Sequence, residues 1–132
     1  VTAYLTPEQV LFLHSRLIDE TGGEHGLRDL GLLLSALGRP QASFEQVDLY
    51  PSLFLKAAAL MDSMVRNHPF VDGNKRTAIG GVALFLRLNG YGLIALADEL
   101  VRFTMACAQG GQSLEQIADW FQFHTEPRVS GR

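Results

Sequence analysis

His68-Pro69-Phe70-Val71-Asp72-Gly73-Asn74-Lys75-Arg76 places a histidine, a carboxylate, an amide, a lysine and an arginine in one short segment. On both sides of it the chain turns strongly apolar. Upstream, Leu53-Phe54-Leu55, the run from Ala57 to Met61, and Met64-Val65 are interrupted only by Lys56, Asp62, Arg66 and small polar residues. Downstream, Arg87 is the sole charge between Thr77 and Leu88. A helix apolar most of the way round is buried on several sides. The spacing predicts two such helices, over residues 51–67 and 74–88, with Pro51 opening the first and Asn89-Gly90 closing the second. A polar loop between two buried helices is the mouth of a core rather than a solvated connector.

The residue types in that loop point to phosphate chemistry. Lys75 and Arg76 fall in the first turn of the second helix, where each cation opposes the macrodipole by about 0.3–1 kcal/mol. A bound anion reverses that sign, because dipole, free amides and side chains then all attract it. Gly73 lets the backbone approach the anion, and Asn74 either donates to a phosphate or caps the helix. Neutral His68 can take a proton from a hydroxyl, typically a contribution of about 10²–10⁴-fold. Asp72, four residues on, can hold Mg²⁺ between phosphate oxygens. Phe70, between the polar groups, is expected to point into the core and anchor the loop. Taken singly, Asp72 reads as a helix cap, His68 as a buried structural histidine, and the two cations as solvated charges. Their joint occurrence between two apolar helices favours a base, a metal ligand and a phosphate clamp.

Working outward, Thr6-Pro7-Glu8-Gln9 is a capping-box start after an extended segment over residues 1–5. The helix that follows ends near Thr21-Gly22-Gly23. Residues 24–27 read as a loop, and a short leucine-rich helix runs to Leu37, where Gly38-Arg39-Pro40 stops it. Residues 41–50 show no period and read as an excursion or flap. Beyond Asn89-Gly90, residues 91–96 read as briefly extended and residues 98–108 as a helix. Ser113-Leu114-Glu115-Gln116 opens a last amphipathic helix to about His124, and residues 126–132 read as frayed. His14 is assigned to the polar side of the first helix, and neither it, His25 nor His124 receives a role. Trp120, Phe121 and Phe123 read as core. There is no internal repeat.

Composition sets the outer bounds. A 132-residue chain with 47% apolar and 19% charged residues is a globular one with a real core, so intrinsic disorder is excluded. A net charge of −3 provides no general pull toward nucleic acid or anionic membrane. Single Cys107 rules out an internal disulfide framework and reads as a small buried hydrophobe in a reducing compartment. The first residues lack a leader pattern and no apolar run is long enough to span a bilayer, so a soluble, cytoplasmic protein is expected.

At residues 68–76 the chain resembles the Fic/Doc superfamily, whose general motif is H-x-F-x-[D/E]-G-N-G-R-x-x-R. Two positions depart from it: Lys75 stands at the second motif glycine and Ile79 at the second arginine. Both departures are those of the Doc (death-on-curing) toxin branch. Arg28-Asp29-Leu30-Gly31-Leu32, Arg39-Pro40-Gln41 and Asn89-Gly90 are similar to that branch as well, so the resemblance runs over residues 24–92. It implies an all-α fold in a single domain over residues 1–132: a compact bundle of about six helices with the catalytic loop between two central ones. It implies the toxin of a toxin–antitoxin pair, an ATP-dependent protein Ser/Thr kinase. Such a toxin transfers the γ-phosphate to a protein hydroxyl, a threonine of elongation factor Tu, and blocks translation. His68 is then the base and Asp72 the Mg²⁺ ligand. The backbone at Gly73 together with Asn74, Lys75 and Arg76 holds the ATP phosphates, with Arg66 included by alignment.

Protein AMP transfer of the Fic type is the alternative, disfavoured by the missing second arginine. A non-catalytic phosphate-binding or corepressor module is the second alternative. The chain has no inhibitory [S/T]-x-x-x-E-[G/N] segment, so inhibition is expected from a small antitoxin. The early helices and residues 41–50 are its candidate docking surfaces, and no direct nucleic-acid or membrane partner is expected.

Overall fold

The centre of the structure, a computed structural model that describes residues 1–129, is the helix pair α3 (Leu53–Asn67) and α4 (Asn74–Leu88). Nine of the fifteen residues of α3 are buried, so it has no open face. Around the pair stand α1 (Pro7–Thr21), α2 (Leu30–Gly38), α5 (Ala97–Ala108) and α6 (Leu114–Phe123). α3 packs against α2, α4, α5 and α6, while α1 lies on α4. Ala57, Ala58 and Ala59 are fully enclosed, and such small side chains let neighbouring backbones come close. At Gly80 an added Cβ would lie 3.4 Å from both Leu13 and Leu17, which marks where α1 crosses α4. The architecture is all-α, with six helices among the described residues and the motif loop joining the two central ones. No helix among the described residues is long and apolar enough to cross a membrane.

The expected caps form. Thr6 and Ser113 each accept from the main chain three residues on, and Gln9 and Gln116 reach back to complete the boxes. Asp29 caps α2. Pro51 lies outside α3, because the Ser52 hydroxyl accepts from Leu55 N–H and is itself the cap. Residues 1–5 form no strand; Ala3 is tied at both its N–H and its carbonyl to the Asn89 side chain.

Four further expectations are corrected. The excursion over residues 41–50 contains a hairpin, β1 (Ser43–Phe44) paired with β2 (Val47–Asp48). Glu45 and Gln46 both have positive φ there, the backbone of a primed two-residue turn made without glycine. Lys56, read as a mere interruption of α3, is buried and donates to Asp48 (3.1 Å) and to the Pro40 carbonyl, tying the hairpin to the bundle. Part of the expected frayed tail is β4 (Thr125–Pro127), antiparallel to β3 (Tyr91–Leu93); residues 130–132 lie outside the described ones. Backbone pairing alone builds this ladder, since Thr125-Glu126-Pro127 carries no apolar pattern. On α6, Phe121 is core but Phe123 is 83% exposed. Cys107 is buried as expected, and that burial, helped by the Asp62 charge, pushes its thiol up to about 12.

Candidate functional site

The loop between α3 and α4 is fixed first by its own residues. α3 ends at Asn67, and His68 takes a left-handed conformation (φ 48°, ψ 58°). A non-glycine residue there is uncommon, and one preceding proline is normally driven toward extended backbone. Phe70 is buried, as expected. The Asn74 side chain closes the loop on Phe70, accepting its N–H and donating to its carbonyl, both at 2.9 Å. Gly73 (φ 75°) is the residue from which α4 starts; a Cβ there would come within 2.9 Å of Ile18 in α1. Glycine is thus required by the turn, and a side chain there would also have to push the tip of Ile18 aside.

A second segment, residues 14–29, holds the loop from outside. Glu24 N–H donates to Asp72 Oδ2 (3.0 Å), and Val71 N–H donates to the Gly26 carbonyl (3.0 Å). Leu27 and Phe70 form an isolated antiparallel bridge. Arg28 Nε donates to the His68 carbonyl and its Nη2 to the Asn67 carbonyl, each at 2.8 Å. His14 Nε2 donates to the Asp72 carbonyl at 2.8 Å, and its ring stacks on Phe70 with centroids 3.8 Å apart. Arg76 reaches back to the end of α1, donating to Thr21 Oγ1 and the Gly22 carbonyl.

The result is a cleft of about 360 Å³ lined by His68, Val71, Asp72, Gly73, Asn74, Lys75 and Arg76. The His68 imidazole is exposed at it and has no hydrogen-bond partner among the described residues. The Asp72 carboxyl is held below the usual carboxylate range, first by the Glu24 N–H, then by the Gly73 N–H, with Arg76 and His14 adding to the effect. α4 has no side-chain cap. Its start therefore offers the first-turn N–H groups of Asn74, Lys75 and Arg76 without a capping acceptor. Two cations, open helix amides and an unpartnered imidazole around one cleft suit an anionic ligand and a proton acceptor.

Six of the seven residues singled out in the sequence line this cleft. Arg66 does not: its Nε is paired with Asp62 one turn back on α3 (2.8 Å), in a cluster that Arg39 completes. Two expected phosphate donors are also otherwise engaged. The Gly73 N–H goes to Asp72 Oδ1 (2.8 Å), and the Asn74 side chain is spent on Phe70.

Residues 4–86 match the Fic/DOC family. The chain belongs to that family. It is 50% identical over 98 residues to Toxin Doc of Mycolicibacterium smegmatis (strain ATCC 700084 / mc(2)155), a match covering 74% of this chain and 73% of that protein. It is 35% identical over 118 residues to Protein kinase doc of Escherichia phage P1, covering 88% of this chain and 90% of that one.

Two positions of this Fic/DOC chain that shape the loop drew no role from the sequence. His14 was assigned to a polar face, yet Val10, His14 and Ile18 are the buried residues of α1, spaced four apart. That spacing is the visible signal: a histidine inside an apolar i, i+4, i+8 stripe faces the core. Arg28 stood out only within the Arg28-Asp29-Leu30 string, and nothing local shows that its guanidinium ends α3.

The Mg²⁺ implied for the family fits the donor set. Among the described residues no group of three or more His, Cys, Asp or Glu comes together, so a metal ion held by protein alone is not built. Mg²⁺ that travels with a nucleotide needs only one or two carboxylates, the rest being phosphate oxygens and water. Asp72, its carboxyl held below the usual range and with a spare lone pair on each oxygen, would supply one.

Proposed function

We propose that the protein is the toxin of a toxin–antitoxin pair, a cytoplasmic ATP-dependent protein kinase that moves the γ-phosphate onto a serine or threonine hydroxyl. A threonine of elongation factor Tu is the expected acceptor, and arrest of translation the consequence. The likeness to Toxin Doc and to Protein kinase doc supports the toxin and kinase parts. A small antitoxin is the inhibitor that such a pair requires. The observation that carries the reading is the uncapped, doubly cationic start of α4 beside Asp72 and an unpartnered His68 imidazole.

In this reading His68 takes the proton of the acceptor hydroxyl as its oxygen attacks the γ-phosphorus. The new P–O bond forms as the bond to the β-phosphate bridging oxygen breaks, and ADP leaves with that electron pair. Lys75, Arg76 and the first-turn amides of α4 hold the phosphate charge in place. The tether of Arg76 to Thr21 and Gly22 keeps its guanidinium from following the ligand into solvent. Asp72 would hold Mg²⁺, which neutralises charge on the phosphates when bound. Ile79, where AMP-transferring relatives carry a second arginine, packs against the core, so no further cation is offered to a nucleotide from that position. This favours phosphoryl over nucleotidyl transfer.

The test is incubation with Mg²⁺, elongation factor Tu and ATP labelled at either the α or the γ position. Label from the γ position on the acceptor, lost in His68→Ala, is expected. Retention of the α label would move the assignment to AMP transfer, and no transfer with intact cellular toxicity in His68→Ala would favour a non-catalytic module.

A further inference from the structure

Three consecutive carbonyls at the end of α3 are held by one residue. The Arg28 side chain takes those of Asn67 and His68, each at 2.8 Å, and the Arg28 main-chain N–H takes that of Pro69 at 2.7 Å. Asp29 N–H shares the Pro69 carbonyl. The last carbonyls of a helix have no partner within it, and a guanidinium fork at that end satisfies two of them while complementing the negative pole.

The residue in the middle of the three is His68. Its left-handed backbone, at a non-glycine position directly before proline, is one the chain does not adopt unaided. Such conformations persist where surrounding contacts over-determine them. The imidazole itself has no hydrogen bond to aim it, so its place in the cleft is set by its backbone. No residue of the motif loop bonds the Asn67 or His68 carbonyl; the grip comes from across the chain, some forty residues away.

We infer that Arg28 is a positioning residue for His68, clamping the end of α3 so that the imidazole projects into the cleft at a fixed angle. The inference rests on the reading of His68 as the base. Arg28 touches neither phosphate nor acceptor in this account, and it is absent from the cleft lining. Lysine cannot replace it, because an ammonium keeps the charge at the helix end but not the two-pronged fork.

The test uses the full chain with Arg28→Lys and Arg28→Ala, below the unfolding temperature of each. Expected is a fall in kcat on the order of 10–100-fold in both, since small misplacements of a reacting group have effects of that size. KM for ATP should stay within about threefold, because the phosphate clamp on α4 is untouched. Methylguanidinium should partly restore kcat in Arg28→Ala and not in wild type. In parallel, the His68 ring resonances should shift or broaden in both variants. Full kcat in both, a change confined to KM, or unmoved His68 resonances would each overturn the inference. If Arg28→Ala does not fold, Arg28→Lys decides alone. If wild type transfers no phosphate, the kinase reading fails, and the His68 resonances still decide whether Arg28 sets its position.

Discussion

Replacing His14 separates the two things that side chain does. It donates one hydrogen bond to the Asp72 carbonyl (2.8 Å) and supplies one flat surface against Phe70, both in a place only 4% exposed. His14→Phe keeps the ring and loses the donor. The cost is the net hydrogen bond plus part of the penalty for a carbonyl left without its donor, about 1–2 kcal/mol. His14→Ala loses the stack as well, about 0.5–1.5 kcal/mol, and leaves a void, bringing the total to about 3–4 kcal/mol. Both sit below the 5–15 kcal/mol typical of a domain, so both variants are expected to fold. Activity should rank differently from stability. The Asp72 carbonyl belongs to the residue that carries the carboxylate and directly precedes Gly73, from which α4 starts, so losing its anchor loosens both in either variant. Urea unfolding should order wild type above His14→Phe above His14→Ala. Phosphate transfer should instead show the two variants together, on the order of 10–100-fold below wild type. A His14→Phe protein with wild-type transfer, or one as unstable as His14→Ala, would refute the argument.

Two other expectations follow from charged groups, one pair far from the cleft and one carboxylate within it. Asp48→Ala should cost about 1–2 kcal/mol in thermal unfolding, because it strips the buried Lys56 ammonium of its carboxylate and leaves it only the Pro40 carbonyl and the Tyr4 ring. Lys56→Met removes the buried charge too and should be within about 1 kcal/mol of wild type; the reverse order would argue that the pair is a net stabiliser. In a carbon-13 titration Asp72 should have its midpoint below the usual 3.8, and Arg76→Ala should move it only a little, since the Glu24 and Gly73 N–H groups act more strongly. A folded value below the unfolded one means stability that is present above the unfolded value and lost as pH falls through the folded one. A midpoint at or above 3.8 would contradict the hydrogen bonds seen at Asp72.

What could be read in the sequence was what local physics decides. The capping boxes at Thr6 and Ser113, the glycine after α1 and the two apolar helices are short-range signals, and they appear where expected. The motif residues come together at one cleft because they are neighbours on one loop. What escaped was long-range. The ladder of β3 and β4 joins residues more than thirty apart by backbone alone, and the hairpin turn uses Glu45 and Gln46 in place of the glycine or asparagine that would have announced it. Arg66 sits next to the motif in sequence but is turned to Asp62 by the i, i+4 geometry of α3. His14 was misplaced by its chemistry: a polar name outweighed its place in an apolar stripe.

The same division decides how the site is built. Within the motif, the side-chain locks are Asn74 on Phe70 and Asp72 on Gly73. The remaining hydrogen bonds that shape it come from His14, Thr21, Gly22, Glu24, Gly26, Arg28 and Asp29, across sequence separations of 39 to 58 residues. Contacts of that span form late and only when the intervening chain has docked, because closing the loop costs entropy before the contact returns anything. The left-handed turn at His68, the aim of Asp72 and the hold on Arg76 therefore depend on residues 14–29 being seated on the motif loop. A chain with the nine motif residues but another connection between its first two helices would keep the cations at the start of α4. It would lose the backbone that presents His68 and Asp72 to them, and with it the geometry that makes phosphate transfer more than phosphate binding.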